Sequence, residues 1–157
     1  MNYTNIQVKI MKDLEKAEKD KEAGMHQFKP WTIGQIGSYY YIFGKDIIEI
    51  IPMHHFFLQP MGITGGLLPK SKIIESFPIN GKTMSRAYKY HDENGEKLHV
   101  YTVEGKKLVH IMNKQLYDFD ISCKKHETTL ALCPDGWCTI LEDNQIVGRV
   151  KPYKVEG

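Results

Sequence analysis

Arginine is scarce in this chain of 157 residues, where only Arg86 and Arg149 stand among 21 basic residues. The guanidinium fork that reads guanine edges and phosphates is therefore almost absent, which disfavours sequence-specific recognition of duplex DNA. Charge of one sign is not in excess either, because 19 acidic residues leave a net charge of only +2. This near balance excludes a protein that coats DNA by bulk electrostatic attraction.

Long apolar runs are also lacking. The two longest, Tyr39–Phe43 and Ile50–Leu58, fall far short of the roughly 20 residues that a bilayer requires. The first residues show no basic stretch followed by an apolar stretch and a small-residue cleavage site, which a secretory signal would need. The sequence therefore predicts a cytoplasmic protein without a membrane partner.

Cysteine is present at three positions only: Cys123, Cys133 and Cys138. An odd number without a signal peptide favours reduced thiols over a disulfide framework. Together with His126 they form C-x2-H-x6-C-x4-C, four ligands of the kind that zinc takes, although the spacing matches no common zinc module. Three interpretations stay open: a metal site, a redox pair of Cys133 and Cys138, or buried thiols on strands, of which the last is favoured.

Catalytic signatures are missing, since no GxSxG, HExxH or GxGxxG sequence occurs. Gly81, Lys82 and Thr83 supply the end of a phosphate-binding loop, but Ser76 stands where its first glycine is needed and a strand is predicted to follow. An Asn-Gly turn is the favoured interpretation. We expect a chain that is not an enzyme and that carries no cofactor.

A helix is predicted over residues 1–24. Thr4 and Gln7 match a capping box at its start, and Gly24 suits its end. Between them, apolar residues recur at helical spacing: Ile6, Ile10, Met11, Leu14 and Ala17.

Beyond this helix, short β-branched and aromatic runs alternate with turn residues. The pattern predicts strands and a loop over 31–112, with a hairpin at 38–51 and a three-stranded meander at 83–112. A short helix at 113–119 and strands over 128–155 follow, whereas 72–77 is ambiguous between helix and strand. The predicted fold is one α+β domain over 1–157, with two helices packed on a largely antiparallel, meander-rich sheet.

An aromatic segment follows the predicted hairpin and contains His54, His55, Phe56 and Phe57. With Trp31, these residues are the predicted anchors of a protein-binding surface, because large aromatic side chains dominate interface energetics. The alternative is a half-buried segment with hydrogen-bonded imidazoles. Adjacent histidines are expected to point to different faces and not to bind one metal together.

A nucleic-acid site is the second alternative. Residues 25–90 hold seven basic and three acidic residues, and Arg86, Tyr88, Lys89 and Tyr90 combine positive charge with rings that could stack on bases. Strand alternation places Tyr88 and Tyr90 on the face opposite Lys89.

Residues 113–155 combine a short helix that starts at Asn113 and contains Leu116 with later strands and an ending of Val150, Lys151, Pro152 and Lys154. This arrangement resembles the closing half of a domain of the bacterial DNA sliding clamp. The resemblance implies two helices against a curved antiparallel sheet. It also implies a clamp-like accessory role in DNA metabolism, such as phages and other mobile elements often encode.

Assembly is the last expectation. The strands at 38–43 and 46–51 are apolar on both faces, and a single sheet offers only one interior face. The surplus is expected beneath the first helix or in an interface between copies, for which a homodimer is the commonest arrangement. In sum the sequence predicts a non-enzymatic protein-binding chain, with nucleic-acid binding and a zinc-dependent or thiol enzyme as alternatives.

Overall fold

The computed structural model describes residues 1–24, 31–59, 67–77, 80–121 and 125–157. Its contacts cluster in two compact units, an N-terminal unit of residues 2–76 and a C-terminal unit of residues 77–157 together with Met1. Helices and antiparallel strands make up the fold, so the predicted α+β class is confirmed. The assignment of 1–157 to a single domain stays a prediction.

The N-terminal unit contains two helices and three strands. They are α1 (Tyr3–Glu22), β1 (Thr32–Ile36), β2 (Tyr39–Phe43), β3 (Ile47–Pro52), a 3-10 turn (Met53–His55) and α2 (Lys70–Glu75). The strands pair antiparallel in the order β1-β2-β3, with Tyr39 opposite Pro52 and Phe43 opposite Ile48. The predicted hairpin is thus confirmed, and the ambiguous stretch at 72–77 is helical for most of its length.

The start of α1 differs from the prediction. Asn2 is the N-cap, and its side-chain oxygen accepts a hydrogen bond of 2.9 Å from the backbone N–H of Asn5. The predicted capping box of Thr4 and Gln7 is therefore wrong, because Asn2 already occupies the capping position and Gln7 is fully buried. None of the helices in the described part of the chain has the length and apolarity needed to cross a membrane.

The strand β3 is buried on both faces, since every residue from Ile47 to Ile51 is buried. The apolar surplus noted in the sequence is thus covered for β3, whereas β2 leaves Tyr39 exposed and Tyr40, Tyr41 and Phe43 half-buried. The homodimer stays a prediction.

The C-terminal unit consists mainly of antiparallel strands. Its elements are β4 (Lys82–Thr83), β5 (Ser85–His91), β6 (Lys97–Val103), β7 (Lys107–Met112), α3 (Asn113–Leu116) with a 3-10 turn (Tyr117–Phe119), β8 (Thr128–Leu132), β9 (Cys138–Glu142), β10 (Gln145–Val150) and β11 (Lys154–Glu156). The strands of one sheet follow the order β11-β7-β6-β5. In the other sheet, the strands of this unit follow the order β10-β9-β8-β4.

The predicted meander is confirmed with one change. The first predicted strand divides at Met84, because Lys82 and Thr83 pair with Leu132 and Ala131 of β8 while β5 pairs with β6. Met84 itself is buried, and its backbone N–H donates to the carbonyl of Leu130 at 2.8 Å. A single stretch of chain therefore contributes to both sheets of this unit.

Candidate functional site

The residues from Met53 to Gln59 form an exposed stretch directly after β3, named here the Phe57 segment. The Phe57 side chain is 59% exposed, and Met53, His54 and His55 are exposed as well. Phe56 is half-buried, with its ring centre 4.9 Å from that of Tyr40 on β2. Four of the five predicted anchors thus lie together on this segment.

Gln7 of α1 holds the Phe57 segment in place. Its side-chain amide N–H donates to the carbonyl of His55 at 2.8 Å, and its side-chain oxygen accepts from the backbone N–H of Phe57 at 2.7 Å. The same amide group also donates to the carbonyl of Tyr3 at 3.1 Å. A fully buried polar side chain is thus satisfied mainly by the backbone of an exposed segment.

The two histidines lie closer together than the sequence predicted. The ring centres of His54 and His55 are 4.2 Å apart, and the His55 ring stacks on Tyr3 at 4.6 Å. These residues form a 3-10 turn, which rotates successive side chains by about 120°, so the two side chains leave the backbone in different directions, as expected, although their rings are in contact. Among the described residues, no three His, Cys, Asp or Glu side chains form a group that could hold a metal ion.

Trp31 does not belong to this surface. Its ring is buried, and its indole N–H donates to a carboxylate oxygen of Asp13 at 2.8 Å. A Cβ atom placed on Gly44 would come within 2.8 Å of the same ring, so the β2–β3 turn also packs closely against it. The predicted anchor Trp31 is therefore corrected to a core residue of the N-terminal unit.

The four nucleic-acid candidates lie on β5, an edge strand of its sheet. Tyr88 and Tyr90 share one face, while Lys89 lies opposite His99 and points the other way. A β-bulge between Arg86 and Tyr88 turns Arg86 to the face of Lys89. The structure thus separates the two tyrosines from the two basic side chains.

Tyr90 belongs to a polar chain that the sequence analysis missed. Its hydroxyl oxygen lies 2.8 Å from Nδ1 of His110, and Nε2 of His110 lies 3.3 Å from a carboxylate oxygen of Glu156. The hydrogen bonds from Lys154 and from His110 hold the pKa of Glu156 below its usual range. No local motif could have revealed this chain, because its members come from β5, β7 and β11.

The three described members of the possible zinc set are not brought together. Cys123 lies outside the described residues, and His126 is next to Asp143, at 3.2 Å, near the Thr128–Glu142 end of the β8–β9 hairpin. Cys133 and Cys138 flank the opposite end of that hairpin as free, buried thiols.

The two described cysteines also fail to form a redox pair. The sulfur of Cys133 lies 3.2 Å from the Thr139 hydroxyl, so Cys138, the residue before Thr139, points to the opposite face of β9. Burial raises the pKa of the Cys138 thiol to about 12, which keeps it protonated at neutral pH and unreactive as a nucleophile.

Arg149 makes a second set of polar contacts that the sequence did not predict. Its buried guanidinium donates two hydrogen bonds of 2.8 Å to the carboxylate of Asp135 and one of 3.1 Å to the Thr139 hydroxyl. The hydrogen bonds from Arg149 hold the pKa of Asp135 below its usual range. These contacts fix the turn between β8 and β9.

No family model matches the chain, and neither a curated protein nor a solved structure matches it. The resemblance of residues 113–155 to a sliding-clamp domain stays a prediction. The candidate site therefore depends on the geometry of the described residues.

Proposed function

We propose that this chain is a non-enzymatic binding protein whose Phe57 segment docks into an apolar pocket of a partner protein. The observation that supports the proposal is the pair of hydrogen bonds by which buried Gln7 fixes the backbone on both sides of Phe56 while the Phe57 ring stays exposed. An exposed aromatic side chain on a backbone that is already fixed loses less entropy when it binds than one on a mobile loop, which increases affinity.

The exposed side chain of the segment indicates the chemistry of the partner. The Phe57 ring is exposed, and no aspartate or glutamate occurs between Met53 and Gln59. The proposed partner is therefore a folded protein with an apolar pocket that accepts one phenyl ring.

Site-specific photo-crosslinking tests this proposal. A chain with p-benzoylphenylalanine in place of Phe57 is irradiated in an extract of the cells that encode it. We expect one dominant crosslinked species, which an excess of unlabelled wild-type chain removes and an excess of the Phe57→Ala chain does not. The matched control carries the photoreactive residue in place of Ile74 on α2, which is 58% exposed against 59% for Phe57.

Two results would overturn the proposal. Equal crosslinking from positions 57 and 74 would show that the Phe57 ring has no preferred partner. Loss of the cooperative unfolding transition in Phe57→Ala would show that this ring belongs to the core, since removal of an exposed side chain should leave the fold intact.

A clamp-like accessory role in DNA metabolism is the narrower form of the proposal. A chain this short would need several copies joined head to tail to encircle DNA. Light scattering across a concentration series separates the two forms: a strict monomer removes the clamp-like role and leaves docking through Phe57 intact.

Binding of single-stranded nucleic acid is a second candidate, favoured by the Tyr88 ring, which is half exposed and lies 6.2 Å from the Tyr90 ring. Stacking would then contribute about 1–3 kcal/mol for each base on a tyrosine. Tyr88→Ala should weaken binding of a single-stranded oligonucleotide at low salt at least fivefold. Tyr153→Ala, at a position that is 51% exposed against 50% for Tyr88, should not.

A further inference from the structure

A pocket of about 310 Å³ lies in the C-terminal unit where three connections meet. The chain leading into β4 lines it with Asn80, Gly81 and Lys82, and the other lining residues come from the β6–β7 turn and the start of the β8–β9 turn: Val103, Glu104, Lys106, Lys107, Leu132, Cys133 and Pro134. This volume is at the lower end of the range for small-molecule sites.

The rim of the pocket is positively charged. Among the lining residues three are lysines and one is a glutamate, Glu104, whose carboxylate lies 3.6 Å from the ammonium of Lys82. Lys106 and Lys107 are exposed and give the rim its surplus of positive charge. An anionic group entering the pocket would therefore meet two ammonium groups beyond the one that Glu104 offsets.

The floor of the pocket is apolar and includes a thiol. Cys133 is buried beside the Thr139 hydroxyl, and its sulfur also contacts the Arg149 guanidinium. A Cβ atom at Gly81 would come within 3.0 Å of this sulfur, so only glycine lets the chain pass so close to it. Val103 and Leu132 add aliphatic surface to the lining.

We infer that this pocket binds a small organic anion with an apolar body. The carboxylate or phosphate of such a ligand would meet Lys106 and Lys107 at the rim, and its body would contact Val103, Leu132 and Pro134 towards the Cys133 thiol. The mode differs from that of a phosphate-binding loop, because Lys82 and Thr83 form strand β4 and no helix follows whose N-terminus could receive a phosphate. The inference is independent of docking through Phe57.

Chemical modification of Cys133 tests the inference. In a Cys123→Ser chain, Cys133 is the reporter because it lines the pocket, whereas Cys138 lies on the other face of β9 and has a thiol pKa of about 12. The reagents are 5,5′-dithiobis(2-nitrobenzoate), an anionic aromatic disulfide, and 4,4′-dithiodipyridine, a neutral one. The rate of Cys133 modification by each reagent is divided by the rate at which that reagent modifies free glutathione. We expect this normalised rate to be at least fivefold higher for the anionic reagent than for the neutral one.

Charge reversal supplies the control. Lys106→Glu with Lys107→Glu should abolish or invert this preference, whereas Lys12→Glu with Lys16→Glu on the exposed part of α1 should leave it unchanged. A preference that is the same in both charge-reversed chains would overturn the inference, because it would reflect the charge of the chain as a whole.

Protection experiments identify the ligand chemistry. Phenylacetate, phenyl phosphate and the neutral benzyl alcohol are compared at equal concentration as protectants of Cys133. Protection by either anion above that by the alcohol supports the inference and shows whether the carboxylate or the phosphate is preferred. Equal protection by all three, or by none, overturns it.

An NMR titration replaces the kinetics if neither reagent modifies Cys133. The amide shifts of Gly81 and Lys107 are then followed as each of the two anions is added, and unchanged shifts overturn the inference.

Discussion

Gln7 in the N-terminal unit and Arg149 in the C-terminal unit are both fully buried polar side chains that bind an exposed turn. Gln7 is neutral, and the groups it contacts in the turn belong to the backbone at His55 and Phe57. Arg149 is charged, and its main partner is the carboxylate of Asp135. The same structural task, fixing a surface turn from below, is performed once by neutral and once by ionic hydrogen bonds.

The difference determines how each turn responds when its anchor is lost. Most of the Phe57 segment is exposed, so water can bind its peptide groups once Gln7 is lost, and we expect the segment to open while the rest of the unit stays folded. The β8–β9 turn connects two paired strands, so loss of the ionic bonds should weaken the sheet itself. The first arrangement suits a surface that binds a partner, and the second suits a structural corner.

The largest expected effect is on the ionic anchor. Asp135→Ala removes two charge-assisted hydrogen bonds, and because the carboxylate is partly exposed we expect the free energy of unfolding to fall by about 2 kcal/mol. Urea unfolding at pH 7 measures the change. Asp143→Ala is the matched control: this aspartate also accepts from a backbone N–H in a hairpin turn, that of Glu127, but contacts no buried cation. A loss from Asp143→Ala as large as that from Asp135→Ala would show that turn geometry, not the buried guanidinium, decides.

A smaller global effect is expected for the neutral anchor. Gln7→Leu replaces the amide by an apolar side chain of similar size and removes the bonds to His55 and Phe57. We expect a loss of about 1 kcal/mol because water satisfies the released peptide groups. The local effect should be larger, with hydrogen exchange of the Phe57 amide at least tenfold faster. Gln145→Leu, which removes an exposed glutamine of β10 in the C-terminal unit, should leave that exchange rate unchanged. Unaltered exchange at Phe57 in Gln7→Leu would mean that the segment is held by other contacts, and the proposed preorganisation would be wrong.

The elements of the fold could largely be predicted, because their signals are local. Turn residues between alternating β-branched and aromatic runs placed the hairpin at 38–51 and the meander up to Met112, and both are present. Helical spacing placed α1, and Gly24 has the positive φ of 73° expected where a helix ends. The division of the first meander strand at Met84 was missed, since no glycine or proline marks it.

The contacts that build the candidate site could be predicted only in part. The aromatic segment could be predicted from its residue types. The role of Gln7 as its anchor could not, because the partners of Gln7 lie 48 and 50 residues further along the chain. Trp31 was misassigned for the same reason, since its acceptor Asp13 belongs to a helix 18 residues earlier. The bulge that moves Arg86 to the other face of β5 depends on pairing with Tyr101, which periodicity does not encode.

The smallest expected effect is a difference in the pH dependence of the two anchors. The bonds from Arg149 hold the pKa of Asp135 below its unfolded value, so the unfolded chain binds the proton first as the pH falls. The stability that this carboxylate contributes is therefore fully present above its unfolded pKa of about 4 and is lost as the pH falls through the lower folded value. We expect the difference in unfolding free energy between wild type and Asp135→Asn to be constant from pH 7 to pH 5 and to shrink below pH 4.

Asp143 and Glu156, whose pKa values are also lowered, titrate alike in both chains and cancel in this difference. The corresponding difference for Gln7→Leu should not change with pH, because no group in that anchor titrates. Urea unfolding of wild type, Asp135→Asn and Gln7→Leu at five pH values measures the two differences in unfolding free energy. If the two differences vary with pH in the same way, Asp135 does not stabilise this corner through its charge.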